Sequence, residues 1–100
     1  MNHEEAVAQL AVCRSQIDSI DRELLALLNR RTHVVEEIGR IKQAVAMPIY
    51  EPKREDEVFR NVIENNRGPL PSDAVKRVFE RIVDEMRTVQ KLRMAEQRNP

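Results

Sequence analysis

Two cations stand where a helix should be apolar. Arg31 and Lys42 are eleven residues apart, and eleven residues at 100° each make about three full turns. Both therefore share the side of a helix carrying Leu10, Cys13, Ile17, Ile20, Leu24, Leu28, Val35, Ile38 and Val45. Arg14 lies 17 residues before Arg31, a rotation of roughly a quarter turn off that line. Further on, Glu55 falls three before Val58 and seven before Val62, on the inward side of a second helix, with Arg54 beside it. Gln90 follows Met86 by four and Phe79 by eleven, so it continues the apolar face of a third. Buried charge is costly unless an opposite charge meets it. One glutamine, one glutamate and several cations turned inward describe a polar pocket of positive balance. The ligand that fits is an anion with hydroxyl or ether oxygens.

Each residue also has a plainer reading. Arg31 alone would be an arginine whose stem lies along apolar surface. Lys42 and Glu55 would pair as a buried ion pair, and Gln90 would be a solvated amide near a helix end. Arg14, in the run Arg14-Ser15-Gln16, would sit on a wet face, with Asp18 and Asp21 as surface partners. His3 and His33 have no metal-ligand spacing to a cysteine or carboxylate cluster, so no metal or other cofactor is expected. No Ser/His/Asp or Cys/His set points to covalent catalysis, and no glycine-rich loop points to a nucleotide. A pocket of this kind works by positioning and electrostatics.

Composition narrows the class. The 100 residues make one domain, or one protomer of something that needs a partner. Charged residues are 34% of the chain and sum to a net charge of zero, which argues against a general nucleic-acid or membrane-surface binder. Aromatics at 3%, without tryptophan, argue against base stacking. Cys13 forms no internal disulfide; its place on the apolar stripe predicts a small core residue, and a free thiol fits a reducing cytoplasm. Met1–Gln9 holds two glutamates and no apolar segment, so it does not read as a secretory signal. No run of 18 apolar residues exists to span a membrane. A soluble, cytoplasmic protein is expected.

The elements that must carry these residues are helices. Asn2 can cap a first helix over about 4–46, before the acidic turn Glu4-Glu5. Pro48 and Pro52 bracket an extended turn, and Pro52 opens a second helix over about 52–66, with Val58, Phe59, Val62 and Ile63 inward. Gly68-Pro69 stops it. Ser72 caps a third helix over about 72–95, whose predicted face is Val75, Val78, Phe79, Ile82, Met86 and Val89. Nothing alternates with period two, so no sheet is expected. A first helix of this length would reach roughly 64 Å, whereas a compact 100-residue domain has a radius of gyration near 13 Å. Two copies with their long helices side by side would bury the overhang.

From about Leu10 to Gln90 the chain resembles the all-helical chorismate mutases. The matching segments are Arg14-Ser15-Gln16-Ile17-Asp18-Ser19-Ile20-Asp21, Leu24-Leu25-Ala26-Leu27-Leu28-Asn29-Arg30-Arg31 and Ile38-Gly39-Arg40-Ile41-Lys42. They continue with Pro48-Ile49-Tyr50-Glu51-Pro52-Lys53-Arg54-Glu55, Asn66-Arg67-Gly68-Pro69-Leu70 and Phe79 to Gln90. Each is weak alone; all of them in order, at the family's spacing, are specific.

The resemblance implies an intertwined homodimer of three-helix protomers, each site closed by Arg14 from the other subunit. It implies an isomerase that rearranges chorismate, a dicarboxylate with an enol ether and a ring hydroxyl, to prephenate. This is a pericyclic step of aromatic amino-acid biosynthesis, on the shikimate pathway, and needs no nucleophile. Arg14 and Arg31 would hold the two carboxylates, and Lys42 and Gln90 would donate to the ether oxygen. Glu55 would accept from the ring hydroxyl, helped by backbone near Glu51. Arg54 would add charge beside the carboxylates and orient Glu55. Met86 stands where some members carry a serine that donates to a carboxylate, which methionine does not do. Some members carry Asp at the position of Glu51. The rivals are an isochorismate pyruvate lyase on the same fold and a regulatory or dimerisation module with little activity. Some members are fused to, or associate with, the first enzyme of the shikimate pathway, and the tail Arg93–Pro100 would serve as a linker from a longer chain.

Overall fold

A computed structural model of the chain describes residues 1–98, with side chains as far as Glu96. The end of the tail expected as a linker, Asn99 and Pro100, lies outside the described residues. Three helices account for the fold: α1 (His3–Ala44), α2 (Pro52–Glu64) and α3 (Ser72–Arg98). No strand occurs among the described residues, as the absence of period-two alternation predicts. No described helix is long and apolar enough to cross a membrane. The chain divides into two compact units, Met1–His33 and Val34–Pro100.

The first unit is the N-terminal part of α1. Asn2 starts it as a cap: its Oδ1 accepts from the Glu5 backbone N–H at 2.8 Å, while Glu5 Oε2 accepts from the Asn2 backbone N–H at 3.4 Å. Two donors left over at a helix start are thereby satisfied reciprocally. No residue of this unit is buried. Its apolar stripe lies open, with Ile17 at 55% and Leu24 at 54% exposure. Cys13, expected as a small core residue, is exposed as well. Within this unit a lone helix has no second element to cover its stripe.

The second unit is a helical packing with its core on α3. Val75, Val83 and Met86 are buried, against half-buried Val58, Phe59, Val62 and Ile63 of α2. The buried face of α3 differs from the predicted one. Val78 is 49% exposed and Val83, left off the predicted face, is buried. At 100° per residue, Val75, Met86, Phe79, Gln90 and Val83 span an arc of roughly 80°. Val78 lies outside that arc, and including it rotates the expected face away from the true one.

The end of α1 is a sharp reversal. Ala46 takes a left-handed conformation (φ 56°); its N–H bonds the Gln43 carbonyl at 3.3 Å and the Met47 N–H bonds the Lys42 carbonyl at 2.8 Å. This is the Schellman pattern, with alanine at the position glycine usually fills. Beyond it α2 begins on Pro52 at its first turn, where the missing proline N–H costs nothing. An alanine held left-handed is strained relative to glycine. Ala46→Gly should therefore stabilise the chain by about 0.5–1 kcal/mol, seen as a higher urea midpoint with an unchanged slope.

Candidate active site

Lys42 lies in the last turn of α1, and its side chain is only 11% exposed. Its Nζ donates to the Ile49 carbonyl at 3.0 Å and forms an ion pair with Glu51, both in the turn that the Ala46 reversal folds back. Two of the three ammonium N–H bonds are so occupied. The anion beside Lys42 is thus Glu51, not Glu55 as the plainer reading of the sequence had it.

Glu55, in the first turn of α2, is held instead from α3. Arg87 Nη2 donates to both carboxylate oxygens, at 2.8 and 2.6 Å, and both side chains are largely buried. The guanidinium lies over the Tyr50 ring, 4.9 Å from its centre, within cation–π range. The hydrogen bond to Glu55 raises the Arg87 pKa above the ordinary guanidinium value, against the opposing effect of burial. The charge therefore persists through all working pH. Arg87 Nε is buried without a hydrogen-bond partner among the described residues, an omission that costs about 1–3 kcal/mol. Arg54, expected to orient Glu55, is exposed and pairs with Glu57 at 3.2 Å. Three residues along a helix bring 54 and 57 to the same face, turned away from the core.

Gln90 is buried on α3 rather than solvated near a helix end. Its Nε2 donates to the Val35 carbonyl at 3.0 Å. Gly39, the buried residue of α1, lets it sit there: a Cβ on Gly39 would stand 3.6 Å from Gln90 Cγ, so alanine fits and larger side chains meet the glutamine. Beyond Gln90, Arg93 pairs with Glu36 at 2.8 Å. A cavity of about 40 Å³ lies among Glu36, Gly39, Arg40, Gln43, Gln90 and Arg93, too small for an organic dicarboxylate. A larger open groove of about 760 Å³ lies along Lys53, Phe59, Ile63, Lys76 and Glu80. It contains none of the expected site residues and its mixed charge selects no ligand.

Lys42, Glu51, Arg54, Glu55, Met86 and Gln90 thus all belong to the second unit, where Ile49 holds Lys42, Arg87 holds Glu55 and Val35 holds Gln90. Met86 is buried, between the turn that carries Val83 and the one that carries Gln90. Arg14 and Arg31 belong to the first unit, where Arg14 is exposed and Arg31 half-buried. Among the described residues no three His, Cys, Asp or Glu side chains gather as a metal site requires. The arrangement offers fixed donors and one fixed carboxylate.

Comparison with known proteins decides the family. Residues 13–91 match the chorismate mutase type II family. The chain belongs to the chorismate mutase family. It is 40% identical over 78 residues to a bifunctional chorismate mutase/prephenate dehydratase of Neisseria gonorrhoeae, covering 78% of this chain and 21% of that protein. A chorismate mutase of Methanocaldococcus jannaschii is 24% identical over 94 residues, covering 93% of this chain and 95% of that one. Among solved structures, a chorismate mutase of Thermus thermophilus superposes with a TM-score of 0.81 at 31% identity, over 83% of this chain and 94% of that one. The chain spans about a fifth of the length of the bifunctional relatives it matches. Arg87 is the residue of the site that sequence reasoning missed. Its one signal was an arginine one residue past buried Met86, at the margin of the apolar arc.

The two ion pairs differ in burial and should differ in worth. Arg87→Met, which leaves the Glu55 carboxylate unmatched, should cost about 1–2 kcal/mol in urea unfolding. Glu51→Gln should cost under about 1 kcal/mol, because Glu51 is 48% exposed and Lys42 keeps Ile49.

Proposed function

We propose that the chain catalyses the rearrangement of chorismate to prephenate as a homodimer in which Arg14 of each subunit completes the other's site. The observation that carries the reading is the largely buried Lys42 ammonium, fixed by Ile49 and Glu51 and, among the described residues, with one N–H left for a ligand. In the proposed reaction the enol ether C–O bond breaks as a C–C bond forms within the same molecule, so no nucleophile is needed. Negative charge grows on the ether oxygen. The free N–H of Lys42 and the second amide N–H of Gln90 meet it there, and donors aligned beforehand need not reorganise as charge develops. Gln90 donates without regard to protonation, so this half of the pair is indifferent to pH.

Arg14 and Arg31 hold the two carboxylates and favour the compact conformer in which the reacting carbons meet. Glu55 accepts from the ring hydroxyl, with backbone near Glu51 assisting, and Arg54 supplies charge at the rim of the site. Met86 contributes shape without a donor. The open stripe through Ile17 and Leu24 supports the dimer, since a helix without apolar cover gains little stability from its own hydrogen bonds. The lone Cys13 supports a reducing, cytoplasmic setting. The bifunctional relative joins a chorismate mutase to a prephenate dehydratase, which supports association with that enzyme rather than with the first enzyme of the shikimate pathway.

Loss of chorismate absorbance, with the product converted by acid to phenylpyruvate, tests the reaction. Turnover of isochorismate alone would assign a lyase instead. Lys42→Ala should lower kcat by about 10²–10³-fold while the folded state persists by circular dichroism; normal turnover would remove Lys42 from the chemistry. The dimer has its own test. Arg14→Ala and Lys42→Ala homodimers should each be nearly inactive, and refolding them together should restore roughly a quarter of wild-type activity, because each mixed dimer carries one intact site. No recovery on mixing would mean that Arg14 serves its own subunit.

A further inference from the structure

We infer that Arg87 is a positioning residue that sets where the Glu55 carboxylate stands, and so how tightly the site holds a ligand hydroxyl. The inference rests on the reading of Glu55 as hydroxyl acceptor. One guanidinium nitrogen spans both oxygens of Glu55 at 2.8 and 2.6 Å, which fixes the carboxylate's direction as well as its charge. The same guanidinium lies on Tyr50, and Tyr50 stands between Ile49 and Glu51, the two residues that hold Lys42. Arg87 is thus the point on α3 to which the turn bearing the Lys42 contacts and the first turn of α2 are both referred. Its Nε is buried without a hydrogen-bond partner among the described residues. An arginine held from two sides, by Glu55 and by Tyr50, has little freedom to turn that donor toward an acceptor.

The ring hydroxyl carries no developing charge in the rearrangement, so its bond to Glu55 is as strong in the bound substrate as in the transition state. Loss of such a bond raises KM and leaves kcat nearly unchanged. A variant that merely unfolds part of the sample does the reverse, lowering apparent kcat at constant KM. Arg87→Met should raise KM for chorismate about tenfold with kcat within about twofold of wild type. In a Glu55→Gln background the same change should alter KM by less than about twofold, since the carboxylate it acts through is gone. Arg87→Lys keeps the charge but not the planar group over Tyr50, so it should restore KM partway, and it serves where Arg87→Met folds poorly.

A fall in kcat at constant KM, or an equal penalty in both backgrounds, would overturn the inference and reduce Arg87 to a structural ion pair. Wild-type protein that leaves chorismate untouched would instead overturn the functional reading beneath it, so the two failures are told apart by the unmodified chain.

Discussion

Lys42 is held at both of its ends, and the rest of the second unit is arranged around that fact. Its carbonyl accepts from Met47 and closes α1; its ammonium takes the Ile49 carbonyl and Glu51 from the turn that the closure creates. Backbone termination and side-chain fixation are therefore one event. A lysine with a four-carbon stem ordinarily samples many rotamers, and ordering it costs up to about 2 kcal/mol. Here that cost falls on folding rather than on ligand binding. The left-handed Ala46 is part of the same arrangement, because without the reversal Ile49 would not meet the ammonium.

Three polar residues turned inward are each matched from another segment of the unit. Lys42 of α1 is matched from the following turn, Glu55 of α2 from α3, and Gln90 of α3 from the backbone of α1. A side chain tied to a different element is oriented by tertiary structure and resists rotation when a ligand arrives. Pairs within one helix, such as Arg54 with Glu57 or Arg81 with Glu85, are exposed and contribute little. That division separates the groups suited to positioning work from those that solvate the surface. Arg87 belongs to the first class although it lies at the edge of its helix face. Its buried Nε has no hydrogen-bond partner among the described residues, in keeping with a guanidinium held by Glu55 and Tyr50.

The first unit presents the opposite condition. Its helix is well begun, with Asn2 and Glu5 satisfying each other's backbone, yet no residue in it is buried. Capping decides where a helix starts, but most helical stability in proteins comes from burying a face. The proposed dimer answers that need and the catalytic need together, since the helix that requires cover is the one that carries Arg14.

Three helices were legible in the order of residues alone, because proline, glycine and apolar spacing act within a few positions of one another. So was the family, because motifs in order along a chain need no coordinates. Polar interruption of apolar faces was legible for the same reason: Lys42, Glu55 and Gln90 break a local period. Which charges meet was settled only by the packing of distant segments. Glu55 pairs with Arg87 across 32 residues, while the neighbour the sequence suggested, Arg54, turns to Glu57. The true face of α3 runs through Val83 rather than Val78, a rotation fixed by what α3 packs against and not by its own period. Local periodicity says that a face exists; the packing partner chooses its centre, and with it the residues at its margin.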